Sequence, residues 1–255
     1  MDETIRRVAE KLQQTERILV ITGAGLSADS GLPTYRGLGG LYNAVTQEGL
    51  PIEEALSGPM LRRDPALCWK YLAELGRACL GAQPNAGHHA IARLQQGKPQ
   101  CWVLTQNIDG YHRAAGSAAE RLIEIHGELS PLYCQSCGAL SPDLAAHLQL
   151  PLPPLCALCA GVLRPPVVLF EEMLPEPAVD SLYAQLRQGF EVVLTVGTTA
   201  SFPYIVEPVT RTRLAGGFTV DINPSVTALG RLAEVQIAGR ALDVLPELVS
   251  HIKFD

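Results

Sequence analysis

Six short apolar runs, each closing on small or polar residues, constrain this chain more than anything else in it: RILVITGAG, CWVLTQN, RLIEIHG, FEVVLTVGTT, GFTVDINP and AEVQIAG. Each has the length of a strand buried on both faces, and helical patterns lie between several of them. That is the signature of a parallel sheet with helices on both sides. The predicted fold class is therefore α/β, a doubly wound, Rossmann-like parallel sheet. Ile5, Val8 and Leu12 share one helical face ahead of the first run. PNAGHHAIARLQQG reads as a helix between strands, with Asn85 as its cap and Gly97 as its stop. His88 and His89 near its start read as structural rather than catalytic.

Two stretches break the alternation, and 255 residues leave room for a companion unit. Residues 37–84 are helical and loop-like, with DPALCWKYLAELGRACL the clearest helix; residues 130–167 are proline-rich and short on regular pattern. Together they are expected to form a smaller helical and zinc-binding module, inserted into a sheet domain made of residues 1–36, 85–129 and 168–255. The module carries Cys134, Cys137, Cys156 and Cys159 in the pattern C-x-x-C, eighteen residues, C-x-x-C. The N-terminus lacks the apolar core of a signal peptide, and no run of about 18 apolar residues offers a membrane span, so the expected location is the cytoplasm. There the spacing favours zinc over disulfides, with a redox dithiol pair or coincidental cysteines as the alternatives. Four thiolates fill a tetrahedral shell and leave no place for substrate, so the metal is expected to be structural. Gly138 and Gly161 are expected to let the backbone turn tightly around it. Cys68, Cys79 and Cys101 lie among apolar residues and read as buried bystanders.

The first run ends in a glycine loop in which Gly23, Gly25 and Ala28 satisfy G-x-G-x-x-A, a pattern that brings backbone amides to a pyrophosphate. The match is weak alone. A hydride-transferring enzyme would continue into a helix, a second strand and an acidic residue about 20 positions on. Here Pro33 and five glycines between Gly23 and Gly39 point to an extended loop instead. The other runs end in Gln106, Asn107 and Asp109, in His126, in Gly197 and Thr198, and in Asn223. Ligands of open α/β sheets bind beyond the carboxyl ends of strands, so these groups are expected to share the glycine loop's crevice. Hydrophobic residues make up 47% of the chain and the formal charge is -6, which fits a compact enzyme better than a tail-rich or disordered chain and gives no whole-chain basic footprint. Direct nucleic-acid binding is not expected, and nothing in the sequence indicates an oligomeric state.

The ordered set GAGLSADSGLPTYRG, TQNIDGYHRAAG, IEIHGEL, the paired cysteines, VGTTASFPY and DIN resembles the sirtuins, the NAD-dependent protein deacylases. The resemblance covers nearly the whole chain. It implies NAD as co-substrate, structural zinc, and acyl-lysine proteins or peptides as partners. In that family the acyl oxygen attacks the ribose carbon bearing nicotinamide, nicotinamide leaves, and the acyl group passes to ADP-ribose. By resemblance His126 is the general base, whose imidazole titrates near neutrality, while Asn107 and Asp109 hold nicotinamide and ribose with Gln106 beside them. Arg36, with Thr34 and Tyr35, belongs to the cofactor loop, where a fixed cation suits pyrophosphate. Gly23, Ala24, Gly25 and Ser27 with Gly197, Thr198 and Asn223 are the remaining cofactor residues implied. RPPVVLFEEMLP and TASFPY match the segments that flank an acyl-lysine peptide as an added strand, with Val168 and Phe170 as expected walls of the acyl tunnel.

Several positions depart from the family pattern. Tyr35 replaces a usual phenylalanine, Tyr111 a usual leucine, and Glu171 precedes Glu172 where glycine is common, which is expected to crowd the peptide strand or alter its backbone angle. Relatives that remove acidic acyl groups carry a tyrosine and an arginine three residues later after the cofactor loop. The equivalents here are Leu72 and Leu75, or, in a shifted alignment, Tyr71 or Arg77. An apolar acyl group is therefore expected. The competing readings are a protein mono-ADP-ribosyltransferase and a non-enzymatic NAD-binding zinc interaction module.

Overall fold

The computed structural model describes residues 2–32, 45–199 and 202–254. The six apolar runs form β1 (Ile18–Thr22), β2 (Cys101–Thr105), β3 (Leu122–Glu124), β7 (Val192–Val196), β8 (Phe218–Asn223) and β9 (Val235–Ala238). Between β3 and β7 come the short strands β4 (Leu132–Cys134), β5 (Leu140–Ser141) and β6 (Leu163–Arg164). The six longer ones pair in parallel in the order β3-β2-β1-β7-β8-β9. Every residue of β1 is buried, because both faces of the sheet are covered. Ile18 and Val20 point into one core and Leu19 and Ile21 into the other, as the two-residue period of a strand requires.

Helices α1 (Asp2–Gln13), α6 (Ala86–Gly97) and α11 (Ala241–Ser250) close the first face; α9 (Glu176–Gln188) and α10 (Pro203–Leu214) close the second. Ile5, Val8 and Leu12 are fully buried along α1. Asn85 caps α6 by accepting from Gly87 N, while Asn85 N–H donates to His88 Nδ1. That accounts for His88, which is structural at its Nδ1 side.

The second unit gathers α3 (Ile52–Ala55), α4 (Gly58–Arg63) and α5 (Pro65–Gly81) on a three-stranded antiparallel sheet in the order β5-β4-β6, with α8 (Leu144–His147) beside it. Ser57 caps α4 and Asp64 caps α5, each ahead of a proline in the first turn, so the run DPALCWKYLAELGRACL is a helix as its cap and proline dictate. The stretch 130–167, short on pattern in sequence, does carry sheet; strands of two or three residues are too brief to show a period. Trp69 anchors the two halves through Nε1–H to the Leu163 carbonyl at 2.9 Å.

At the start of the glycine-rich loop Ala24–Ala28 forms one turn of helix, α2, because small residues let it press against the end of β7; from Pro33 on, the expected loop lies outside the described residues. A side chain at Gly25 would bring Cβ within 2.7 Å of Gly197 Cα, and Gly197 itself has φ +57. α7 (Tyr111–Ala114) follows β2.

Candidate active site

Strand order reverses between β1 and β7, and ligands of such sheets bind at that switch point, beyond the carboxyl ends. A cavity of about 760 Å3 opens there. Gly23, Ala24 and Gly25 enter it from β1, Gln106 and Asn107 from β2, and His126 from two residues past β3. Gly197 and Thr198 enter from β7 and Asn223 from β8; Val168 and Phe170 face them from the seam with the smaller unit. Ser27 and Asp109 line an adjoining cavity of about 40 Å3 instead. Thr34, Tyr35 and Arg36 lie outside the described residues.

The glycines do not offer their own amides to a ligand. Gly23 N–H donates to Val196 O and Gly25 N–H to Gly197 O, at 3.1 and 2.8 Å. Their contribution is to let two backbones meet, which opens the crevice between them. The groove so formed is floored by small residues and bordered by Thr198 and Asn223.

Behind Asn107 lies a buried polar network. Ser27 Oγ–H donates to Asp109 Oδ2 at 2.7 Å, and Ser27 Oγ accepts from Asn107 Nδ2 at 3.1 Å. His88 Nε2, at 3.3 Å, supplies the second donor, since its Nδ1 is taken by the Asn85 amide. Asn107 Nδ2 also donates to Gly23 O at 3.0 Å, which leaves its Oδ1 on the other side. Burial pushes the Asp109 carboxyl up, and the Ser27 hydroxyl and Tyr111 amide pull against that shift.

His126 is set by its two ring nitrogens. Nδ1 lies 2.9 Å from the Gln106 carbonyl, an obligate acceptor, so Nδ1 carries the proton and Nε2 the lone pair. Burial lowers its pKa and the Gln106 contact partly offsets this. Nε2 is 2.7 Å from the Tyr204 hydroxyl, and Phe202 and Tyr204 stack with centroids 5.3 Å apart. Tyr204, Phe202 and Arg240 line the cavity but were not singled out by sequence. Phe202 and Tyr204 fall within TASFPY, matched by resemblance to a segment flanking the peptide, but nothing local aims them at a histidine 78 positions away.

The seam segment is held by a clamp. Arg164 donates to both Glu172 oxygens, at 2.6 and 2.9 Å, and to the Val167 carbonyl at 2.7 Å. Glu172 also accepts from Leu169 N at 3.0 Å. Burial pushes the Glu172 carboxyl up, but Arg164 and the Leu169 amide outweigh it and leave it below the ordinary carboxylate range. Beside this clamp Glu171 takes φ +64, so the backbone angle natural to glycine is kept by a residue with a side chain. Phe170 bridges to Ser57 and Val167 to Gly127, joining the two units.

Leu56, Leu72 and Leu75 give the cavity an apolar end. Tyr71 and Arg77 do not line it: the Tyr71 hydroxyl bonds to Glu48, and Arg77 donates to the Leu148 carbonyl at 3.0 Å.

Away from the cavity, the sulfurs of Cys134, Cys137, Cys156 and Cys159 lie within 4.8 Å of one another. Cys134 to Cys159 is 3.5 Å and Cys137 to Cys156 is 3.8 Å. A tetrahedron with Zn–S bonds of about 2.3 Å has edges of about 3.8 Å, so the set fits zinc. Gly138 turns with φ +74, but the matching turn after Cys159 falls on Ala160, at φ +57, not on Gly161. Gly161 is needed for space: a Cβ there would meet Ser136 Oγ at 2.5 Å. Cys68 and Cys101 are buried and Cys79 half-buried, and burial pushes each thiol up to about 12.

A family model described as Sir2 family matches residues 23–203. The chain is 75% identical over 248 residues, 97% of each chain, to NAD-dependent protein deacylase 2 of Pseudomonas aeruginosa. A solved Sir2 homologue variant in complex with 2′-O-acetyl-ADP-ribose superposes with a TM-score of 0.85 at 33% identity, covering 96% of this chain and 95% of that one. A Sir2 homologue–NAD complex gives 0.84 at 32% identity, covering 96% and 92%.

Proposed function

The chain belongs to the Sir2 family, and from that premise we propose that the cavity at the β1/β7 switch point carries out NAD-dependent deacylation of protein lysines, with His126 as its base. The enzyme is an NAD-dependent protein deacylase: the acyl group of an acyl-lysine goes to ADP-ribose and nicotinamide is released. The observation that carries the base assignment is the tautomer of His126. With its proton fixed on Nδ1 by the Gln106 carbonyl, Nε2 is the basic atom through which a sugar hydroxyl in the cavity is deprotonated. NAD, when bound, supplies the activated sugar that receives the acyl group. Gly23, Gly25 and Gly197 give it room, Thr198 and Asn223 hold its adenosine end, and Asn107 presents Oδ1 toward its nicotinamide end. Asp109 and Ser27 act from behind, by orienting Asn107. Thr34, Tyr35 and Arg36 complete the cofactor loop in this reading, and Cys134, Cys137, Cys156 and Cys159 hold structural zinc.

The substrate reading is an acyl-lysine peptide laid between Val168–Phe170 and the segment before α10. A related protein has been solved with a myristoylated histone peptide and another with a deacetylated p53 peptide. Leu56, Leu72 and Leu75 support an apolar acyl group, acetyl or longer, since no free cation or tyrosine of the α5 segment turns into the cavity. Two C-x-x-C pairs placed to hold zinc suit a reducing compartment such as the cytoplasm; no helix among the described residues is long and apolar enough to cross a membrane.

Incubation with NAD and a panel of acyl-lysine peptides tests this. Nicotinamide release should match lysine deacylation one for one, and His126→Ala should lower turnover by about 10²–10⁴ with the melting temperature unchanged. Unchanged turnover removes His126 from the mechanism. ADP-ribose left on the protein target, without deacylation, overturns the reaction assignment.

A further inference from the structure

The nitrogen that deacylation needs as a base is already engaged. A neutral imidazole protonated on Nδ1 has one lone pair, on Nε2, and the Tyr204 hydroxyl lies 2.7 Å from it. A phenol donates to such a nitrogen, so the single basic position of His126 is occupied by the Tyr204 proton. A sugar hydroxyl reaching His126 must either displace Tyr204 or pass its proton through it.

The surroundings favour passage. Tyr204 is the second residue of α10, directly after Pro203, so its backbone is fixed in the first helical turn. Its ring lies parallel to Phe202, at 8°, with centroids 5.3 Å apart. Both rings stand nearly perpendicular to His126, with centroids 6.0 and 6.1 Å away. Displacing the hydroxyl would break this stack; leaving it in place breaks nothing. Tyr204 and His126 both line the main cavity, so the phenol borders the space a substrate hydroxyl enters.

We propose that Tyr204 is a further catalytic residue, relaying the proton of the attacking sugar hydroxyl to His126. The sugar O–H bond breaks as its proton passes to Tyr204 Oη, and the Tyr204 O–H bond breaks as its proton passes to His126 Nε2. The electron pair left on the sugar oxygen forms the bond to the acyl carbon, whose C=N π bond breaks as its electron pair moves onto the lysine nitrogen. Tyr204 ends as a neutral phenol and His126 as an imidazolium held by the Gln106 carbonyl. The relay rests on the assignment of His126 as base.

Tyr204→Phe keeps the ring stack and removes the hydroxyl. In the NAD-free protein the ¹⁵N signal of His126 Nε2 should move toward that of an unbonded imidazole nitrogen, which checks the resting hydrogen bond without turnover. The NAD dissociation constant should stay within about twofold of wild type, while single-turnover deacylation falls by about 10² or more. The solvent-isotope inventory should change from curved, with two protons in flight, to linear. Deacylation at or above the wild-type rate with the Nε2 signal shifted overturns the relay and makes Tyr204 a cap. A rate loss matched by an equal loss of NAD affinity also overturns it, as a positioning effect. Should Tyr204→Phe fail to fold, 3-fluorotyrosine at position 204 keeps the shape and lowers the phenol pKa; an unchanged pH–rate profile then overturns the relay. Wild-type turnover in His126→Ala would instead remove the base assignment beneath it.

Discussion

Both units of this chain bury a hydrophobic cluster, but only the smaller one adds a set of metal ligands to it. In the sheet unit five-residue strands such as β1 and β7 are buried along their whole length and packed on both faces, so hydrophobic burial suffices. In the cysteine module the strands have two or three residues, and Leu140 and Leu158 stand 71% and 80% exposed. The smaller unit has a buried cluster of its own, with Trp69, Leu72, Leu132 and Leu163 in it, and adds four convergent sulfurs to that core. Stability that comes from area is spread over dozens of residues, whereas stability from a metal resides at one point and can be withdrawn there.

The largest effect should come from withdrawing it. Chelation of the zinc-loaded enzyme should remove hydrogen-exchange protection from residues 130–164 while β1, β7 and β8 keep theirs, since structural zinc contributes on the order of 10 kcal/mol in small modules. Simultaneous loss of protection in both units would show that they unfold as one and break the contrast. Next, Leu19→Ala, at a fully buried sheet position, should cost about 2–5 kcal/mol in denaturant unfolding, whereas Leu158→Ala should stay within about 0.5 kcal/mol. Comparable losses at the two sites would mean that the module leucines are packed in solution.

Acid should distinguish the units too. Burial holds His88 down to about 4 and His112 down to about 3 in the sheet unit. A folded pKa below the unfolded value means stability present above about pH 6.5 and lost as pH falls toward those values. The slope is about 1.4 kcal/mol per pH unit for each histidine withheld from protonation. Urea midpoints measured from pH 7 to pH 4.5 should fall accordingly, and His112→Gln should flatten the slope. The smallest effect is expected at the seam. Glu171→Gly should raise stability by about 1 kcal/mol by relieving the left-handed conformation, read as a shift in melting temperature. A loss would show that the Glu171 side chain makes a compensating contact in solution.

Legibility in sequence followed the range of the interactions. Ile18–Thr22 announced a buried strand because burial on both faces writes itself as consecutive apolar residues, and Asn85 announced a helix start because a cap acts within three positions. The short strands β4, β5 and β6 left no such mark. The turn after Cys159 was misassigned because Gly161 looks like a turn residue but answers to Ser136, twenty-five positions away. Within the site, polar residues at strand ends could be gathered by rule, but nothing local separated those lining the main cavity from Ser27 and Asp109 behind it.

The sequence by itself determined the parallel sheet, the four sulfur ligands and the set of strand ends from which a site could be drawn, because each is encoded by periodicity or spacing over a few residues. Only the tertiary structure decided that Gly25 closes on Gly197, that Leu72 and Leu75 turn inward while Tyr71 and Arg77 do not, and that the Tyr204 hydroxyl meets His126. These contacts follow from β1 lying against β7 at the reversal of strand order. That pairing joins segments about 170 residues apart, and its free energy comes from packing the whole sheet rather than from any stretch of chain that can be read alone.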